Sequence, residues 1–237
     1  MKPNATTAYW WRGVPNFGDR LTPLLLRHFS DLDVSWASAD TAKIVAVGST
    51  LEHIPRGWSG KIVGAGRLKE NSTINVRSAS VLALRGPLSA RGVHGDYALG
   101  DPGLLANELV TIETKRHLLG IVPHWSDTTL AHDPRFANFH PLIIDPRGDP
   151  LDVIRAIGEC HKIVSSSLHG IILADAFGIP RRFEYTPRFD REGHTFKFLD
   201  YSASINTPLV VGKTTQANHF AVDDRKSEIY DALRGLA

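Results

Sequence analysis

The sequence predicts an α/β protein built on parallel sheets, and three observations predict it. Short apolar runs recur along the 237 residues, each closed by small or polar residues and followed by a helix-like stretch. The two clearest runs, from Lys43 to Gly48 and from Lys61 to Gly66, show no period-2 alternation, the pattern of strands buried on both faces. Helix starts carry a cap-type residue ahead of a proline, whose missing N–H forfeits no bond there and whose ring presets the helical φ.

Strands are predicted at 8–11, 44–47, 62–63, 81–84, 97–99, 118–122, 142–144, 163–164 and 183–185. Helices are predicted to open at Thr22-Pro23, Gly86-Pro87, Asp101-Pro102 and Asp149-Pro150. The last of these spans 151–160, with apolar residues at 151, 153, 154 and 157. Ser165-Ser166-Ser167 caps a fifth helix over about 168–177, stopped by Gly178 and Pro180. A final helix is predicted near 224–236. Alternating strands and helices imply right-handed crossovers. Glu108, Glu113, Lys115 and Arg116 interrupt the apolar pattern. They divide the chain into two Rossmann-like lobes, 1–112 and 113–207, with a tail over 208–237.

Composition narrows the function. Lys and Arg number 27 against 25 Asp and Glu, a net charge of +2 with no basic stripe, which argues against a nucleic-acid partner. Hydrophobic residues at 42% and charged residues at 22% suit a folded core and exclude a disordered or coiled-coil chain. Cys160 is the single cysteine, so an internal disulfide and a cysteine-based zinc site are excluded and a reducing, cytoplasmic setting is expected. The 11 histidines do not cluster at a metal-ligand spacing, and no metal is expected. No apolar window reaches the ~18 residues of a membrane span, and the first residues lack a signal-peptide run.

The polar residues fall at the carboxyl ends of the predicted strands, where open parallel sheets bind ligands. These ends are Gly48-Ser49-Thr50, Gly64-Ala65-Gly66-Arg67, Arg85-Gly86, Gly100-Asp101, Pro123-His124 and 165–170. The strongest is Ser165-Ser166-Ser167-Leu168-His169-Gly170, a strand, a serine turn and a helix start. Free N–H groups and the helix dipole make such an N-terminus an anion site. His169 in the first turn would have its pKa lowered by the helix and raised by a bound dianion, which suits a general acid. A capping turn with a structural histidine explains the same residues. Arg85 ends a strand and needs an anionic partner, either a ligand or an internal carboxylate such as Asp101 or Asp96. Asn16-Phe17-Gly18-Asp19 either presents polar groups to a ligand, with Asp19 accepting from sugar hydroxyls, or closes a tight turn. Tyr9, Trp10 and Trp11 are read as core. Gly64-Ala65-Gly66 lacks the third glycine of a dinucleotide fingerprint, and neither a phosphate-binding P-loop nor Gly-x-Ser-x-Gly occurs.

These motifs, taken in order, resemble the polysaccharide pyruvyl transferase family. They are Tyr9-Trp10 with Asn16-Phe17-Gly18-Asp19, Val47-Gly48-Ser49, Gly64-Ala65-Gly66, Arg85-Gly86-Pro87-Leu88-Ser89 and Leu99-Gly100-Asp101-Pro102. Pro123-His124-Trp125-Ser126-Asp127, the 165–172 stretch, Gly178-Ile179-Pro180 and the tract 196–201 complete the series. The resemblance implies two lobes facing across a cleft, as in GT-B glycosyltransferases. It implies transfer of pyruvate from phosphoenolpyruvate to two hydroxyls of a sugar or lipid-linked oligosaccharide, giving a cyclic ketal and phosphate. Phosphoenolpyruvate is then a co-substrate, no cofactor is needed, and a lipid-linked acceptor would bring the protein to the membrane surface.

Carried over by residue, His169 is the catalytic histidine and Arg85 the essential arginine. Ser166, Ser167, Leu168, Gly170, His124, Arg188 and Lys197 fall on the donor side, and Asn16, Asp19, Gly48 and Ser49 on the acceptor side. Some members have arginine where this chain has Ser167, and Arg188 or Lys197 would replace that anion contact. At 237 residues the chain is short for the architecture, which implies reduced acceptor loops. Two rivals remain: a GT-B glycosyltransferase using a nucleotide sugar, and a non-catalytic sugar- or anion-binding relative.

Overall fold

Two sheets, each backed by helices, carry the chain; the computed structural model describes residues 4–126, 129–185 and 193–236. The first sheet holds β1 (Asn4–Tyr9), β2 (Leu32–Trp36), β3 (Ile44–Val45), β4 (Lys61–Val63), β5 (Ser80–Leu84) and β6 (Ala98–Leu99). Its order is β2-β1-β3-β4-β5-β6, parallel throughout. The second holds β7 (Gly120–Val122), β8 (Leu142–Ile143), β9 (Ile163–Ser165), β10 (Arg181–Phe183) and β11 (Thr214–Thr215). Its order is β11-β10-β9-β7-β8, parallel except for the β10–β11 pair. The fold is therefore the two-lobed α/β arrangement that the apolar runs and proline-led turns predict.

The differences are local and have physical causes. The first strand lies earlier than predicted, so Trp10 and Trp11 leave the sheet. Strand β2 follows α1 (Leu21–Ser30) across Asp31, whose left-handed φ of 49° turns the chain at once; its alternating burial marks an edge strand. The last predicted strand also lies earlier, because its first residue is Arg181, a fully buried arginine paired with Asp175 at 2.6 Å. Gly86-Pro87 starts no helix. The N–H of Ser89, which a helix would leave free, donates to Asp200 at 2.8 Å instead. Asp101-Pro102 opens a 3-10 helix, Pro102–Leu109, with the Asp101 carboxylate capping Gly103 N–H at 2.8 Å. Asp149 caps α2 (Pro150–Gly158) at Leu151 N–H, as its proline predicts.

Helix α3 (Leu168–Ala176) is buried on every side, which explains its lack of an apolar stripe. Helix α4 (Phe196–Ser204) and the final helix α5 (His219–Arg234) bind the lobes together. The tail is not a separate unit: β11 joins the second sheet, whereas α5 crosses to the first lobe. There Ile229 packs on Gly100, and the Leu233 carbonyl accepts from the Ser30 hydroxyl at 2.7 Å. One apolar core runs through both lobes, with Leu25, Val63 and Leu105 joined to Ile154, Leu173 and Ile229.

Arg85, at the end of β5, and Asp200, on α4, form a wholly buried ion pair at 2.9 Å. Asp200 also takes the N–H and hydroxyl of Ser89. Next to it, Tyr201 donates to Asp175 at 3.0 Å, so α4 is anchored to both lobes. Removing one member of a buried pair leaves the other uncompensated. Asp200→Ala is expected to lower the unfolding free energy by about 3–5 kcal/mol, read from urea melts. A loss below about 1 kcal/mol, the range of an exposed pair, would show that the pair is solvated.

Candidate active site

The carboxyl ends of strands from both sheets meet around a cavity of about 230 Å³. Its wall takes Asn16, Asp19 and Ser49 from the first lobe, His124, Ser167, Leu168 and His169 from the second, and Lys197 from α4. The serine turn precedes α3 as the sequence implies, but Ser167, at the N-cap, makes no side-chain capping bond. Ser165 Oγ accepts the Ser167 N–H at 2.9 Å, and Ser166 Oγ accepts the His124 N–H at 2.8 Å. These bonds tie the end of β9 to the end of β7 and point the start of α3 at the cavity. Ser166 and Gly170 stand behind this wall rather than in it. A Cβ on Gly170 would meet Ser165 Oγ at 2.4 Å.

His169 is nearly enclosed. Its ring meets the edge of Phe17 with centroids 6.2 Å apart, and a Cβ on Gly18 would lie 1.9 Å from its Nδ1. Only glycine leaves room for the imidazole at that point of the Asn16–Asp19 loop. His169 Nε2 lies 3.9 Å from Asp101 Oδ2, too far for a hydrogen bond, and neither atom has another hydrogen-bond partner among the described residues. Burial, then the charges of Lys197 and Arg85, push the His169 pKa down to about 3, so the imidazole is neutral at pH 7. The direction agrees with the sequence reading; burial outweighs any other cause.

The Asn16–Asp19 loop closes a tight turn at the edge of the cavity. Asn16 closes the turn, donating to Asp19 at 2.9 Å and accepting from Gly18 N–H at 3.2 Å, and both residues also face the cavity. The loop docks across the lobes through Phe17 N–H to the Pro146 carbonyl at 2.8 Å. Burial pushes the Asp19 carboxyl up to about 7 against the pull of Lys197 and Asn16, with the Asp101 charge adding to the rise. Gly48 has φ +106° and approaches so closely that a Cβ would lie 2.6 Å from Asp19 Oδ1. It shapes the wall through its backbone. Lys197 is pushed down to about 8 by burial and then by Arg85, with Asp19 opposing.

Arg85 stands outside the cavity's lining. Its guanidinium lies behind the wall, fully buried, and its partner is neither Asp96 nor Asp101 but Asp200. It donates to Ser49 Oγ at 2.7 Å and to the Arg67 carbonyl at 2.6 Å. It thus reaches the cavity only through Ser49. Arg188 lies outside the described residues. Among those residues, Lys197 is the only lysine or arginine in the wall.

Trp11, His53, Leu68, Trp125 and His194 line the cavity without having been singled out as site residues. Trp11 and Trp125 face each other with centroids 5.5 Å apart, and His124 and His194 at 6.2 Å. Trp125 stands in the motif beside His124, which was its signal; His53 is placed by its contact with the Tyr9 hydroxyl at 2.6 Å and had none. A lysine, serine hydroxyls, helix N–H groups and a neutral imidazole thus surround a space of small-molecule size. That set suits a compact anion and a proton transfer beside it.

Comparison with known proteins gives a consistent result. The family model for polysaccharide pyruvyl transferase matches residues 42–183. The succinoglycan biosynthesis protein ExoV of Rhizobium meliloti (strain 1021) is 32% identical over 195 residues, covering 76% of this chain and 58% of that protein. An uncharacterized protein of Acanthamoeba polyphaga mimivirus is 36% identical over 112 residues, 44% of this chain and 38% of the viral one. The chain therefore spans well under two thirds of the length of either curated relative. No solved structure matches.

The contact between Gly18 and His169 is open to a direct check. Gly18→Ala is expected to displace the imidazole, shifting its 15N resonances, and to cost about 1–3 kcal/mol of stability by overpacking. Unmoved resonances with full stability would reject the close approach.

Proposed function

The chain belongs to the polysaccharide pyruvyl transferase family, and from that premise we propose that it moves pyruvate from phosphoenolpyruvate onto two hydroxyls of a glycan sugar as a cyclic ketal, in the making of a surface polysaccharide. The observation that carries this reading is the buried, neutral His169 at the start of α3, sharing one cavity with Lys197 and Asp19. Phosphoenolpyruvate brings a phosphate and a carboxylate, and both favour the charged form of a nearby imidazole. The donor therefore recruits the proton that its own activation needs.

In this reading protonated His169 delivers that proton to the methylene carbon, with Asp101 at 3.9 Å favouring the imidazolium. The adjacent carbon becomes oxocarbenium-like. A sugar hydroxyl held beside Asp19 attacks it and yields its proton to the phosphate group. The carbon–oxygen bond to phosphate breaks, and a second hydroxyl closes the ketal. The first hydroxyl's proton leaves with phosphate, and the second returns to His169, replacing the one given to the new methyl group. Lys197, Ser167 and the N–H groups of α3 hold the anion and stabilise the leaving phosphate. His124 flanks the donor, and Asn16 and Ser49 face the acceptor. Arg85 is a positioning residue, acting on Ser49 directly and on Lys197 through Asp200 and α4. The scheme calls on no cofactor. No helix among the described residues is long and apolar enough to cross a membrane. A lipid-linked acceptor would bring the protein to a cytoplasmic membrane surface.

The test is phosphate release from phosphoenolpyruvate with a panel of glycans, with mass spectrometry of the pyruvyl adduct. His169→Ala is expected to reduce turnover about 10²–10⁴-fold with an unchanged circular dichroism spectrum. Stabilisation by a nucleoside diphosphate and none by phosphoenolpyruvate would replace this reading with a nucleotide-sugar glycosyltransferase. Ligand binding without turnover on any glycan would indicate a binding protein.

Proton linkage gives a second check. The free imidazole titrates near 3, so it is unprotonated at pH 7, and a bound anion raises its pKa. Asp19, near 7, moves in the same direction. Binding of phosphoenolpyruvate at pH 7 is expected to take up protons, measured by calorimetry in buffers of differing ionisation enthalpy, and less so in His169→Ala. Proton release would reject the assignment.

A further inference from the structure

A groove of about 410 Å³ opens beside the cavity and shares Trp11 and Asn16 with it. Its walls include Trp10, Trp11, Arg12, Arg20 and Trp36, and no carboxylate among the described residues lines it. The fold places these side chains together. Trp10, Trp11 and Arg12 leave the carboxyl end of β1, and Trp36 ends the neighbouring edge strand, paired with Ala8. The Trp36 indole N–H donates to the Trp10 carbonyl at 3.0 Å, which fixes the ring. The Arg12 guanidinium stacks on that ring, 5.0 Å from its centroid.

Three features identify an occupant. Trp36 stays 40% exposed, with Trp10 and Trp11 only half-buried, although core burial would stabilise each by more than any other side chain. Flat indoles with polar neighbours fit a sugar ring, which has an apolar C–H face and a hydroxylated edge. Arg12 has no carboxylate partner among the described residues, whereas Arg20 is bonded to the Gly148 carbonyl at 3.2 Å and lies 3.9 Å from Asp149. A stacked guanidinium keeps its N–H edge free for an anion.

We propose that this groove is a second glycan subsite. It binds the part of the acceptor beyond the reacting sugar, with a ring against Trp36 and Trp11 and an anionic group, phosphate or carboxylate, on Arg12. The groove's continuity with the cavity through Trp11 and Asn16 sets the acceptor's direction: the reacting sugar beside Asp19, the next one outward over the indoles. The inference rests on the acceptor being a glycan, as proposed above, but not on the identity of the donor.

The experiment is binding of the protein to arrayed oligosaccharides of one to six sugars, in neutral, carboxylated and phosphorylated series, with phosphoenolpyruvate binding measured in parallel by calorimetry. Wild-type protein is expected to retain anionic oligosaccharides more tightly than monosaccharides. Trp36→Ala should weaken this by about tenfold, with Trp36→Phe restoring most of it. Arg12→Ala should abolish the preference for anionic over neutral chains and its salt dependence. Neither variant should change phosphoenolpyruvate binding. Preference for the phosphorylated series would point to a carrier-linked phosphate, and for the carboxylated series to an acidic sugar. Equal binding by wild type and Trp36→Ala, no oligosaccharide bound better than a monosaccharide, or an equal loss of phosphoenolpyruvate binding would overturn the subsite. Trp36-dependent glycan binding with no phosphoenolpyruvate binding would leave the subsite standing and remove the donor assignment.

Discussion

The site depends on one buried ion pair. Arg85 and Asp200 are both withdrawn from water, and neither is tolerable there alone. A pair of this kind adds little net stability over an apolar substitute of the same shape; what it contributes is a unique arrangement. Here it sets the seat of α4 on the first sheet. Lys197, three residues before Asp200, is thereby held over the cavity, and the other end of the same guanidinium holds Ser49. One arginine behind the cavity wall thus places a cation on one side of it and a hydroxyl on another. Its motif, Arg85-Gly86-Pro87-Leu88-Ser89, is a unit for the same reason. Gly86 lets the Asp200 backbone approach, and Ser89 completes the carboxylate's hydrogen bonds.

Burial acts on four ionisable groups at the site in one sense, away from charge. Asp19 rises to about 7, Asp101 to about 6, His169 falls to about 3 and Lys197 to about 8. These groups sense one another, so their protons belong to the cluster more than to single residues. Such a cavity holds back much of its charge until a charged molecule is present, and an anion shifts all four groups toward their protonated forms. In the proposed reaction the neutral imidazole is the resting condition of an acid that the donor would arm.

Much of this was legible in the chain. Strand ends with glycine, serine or histidine locate the site because parallel sheets direct their carboxyl ends to one edge. His169, Lys197 and the Asn16–Asp19 loop reach the cavity as expected. What was not legible depends on distance along the chain or on contact. Nothing near Arg85 reveals a partner 115 residues away, and its internal carboxylate is Asp200 rather than Asp96 or Asp101. The reason for Gly18 appears only when the His169 ring is placed against it. Trp10 and Trp11 read as core; the strand ends at Tyr9, Trp10 still packs against the core, and Trp11 turns to the cavity. The buried Arg181 hid the start of β10 for want of any visible counter-ion, since Asp175 belongs to the helix before it.

The returning helix α5 has a mechanical consequence. The backbone passes between the lobes more than once, and a single apolar interior continues from one to the other. Such a body cannot swing open like a book, because separating the halves would expose that interior to water. Access to the pocket then falls to its rim rather than to a hinge between the lobes. A receptor already set in its working shape sacrifices little conformational entropy when it captures a small guest, so modest contacts can suffice for tight capture.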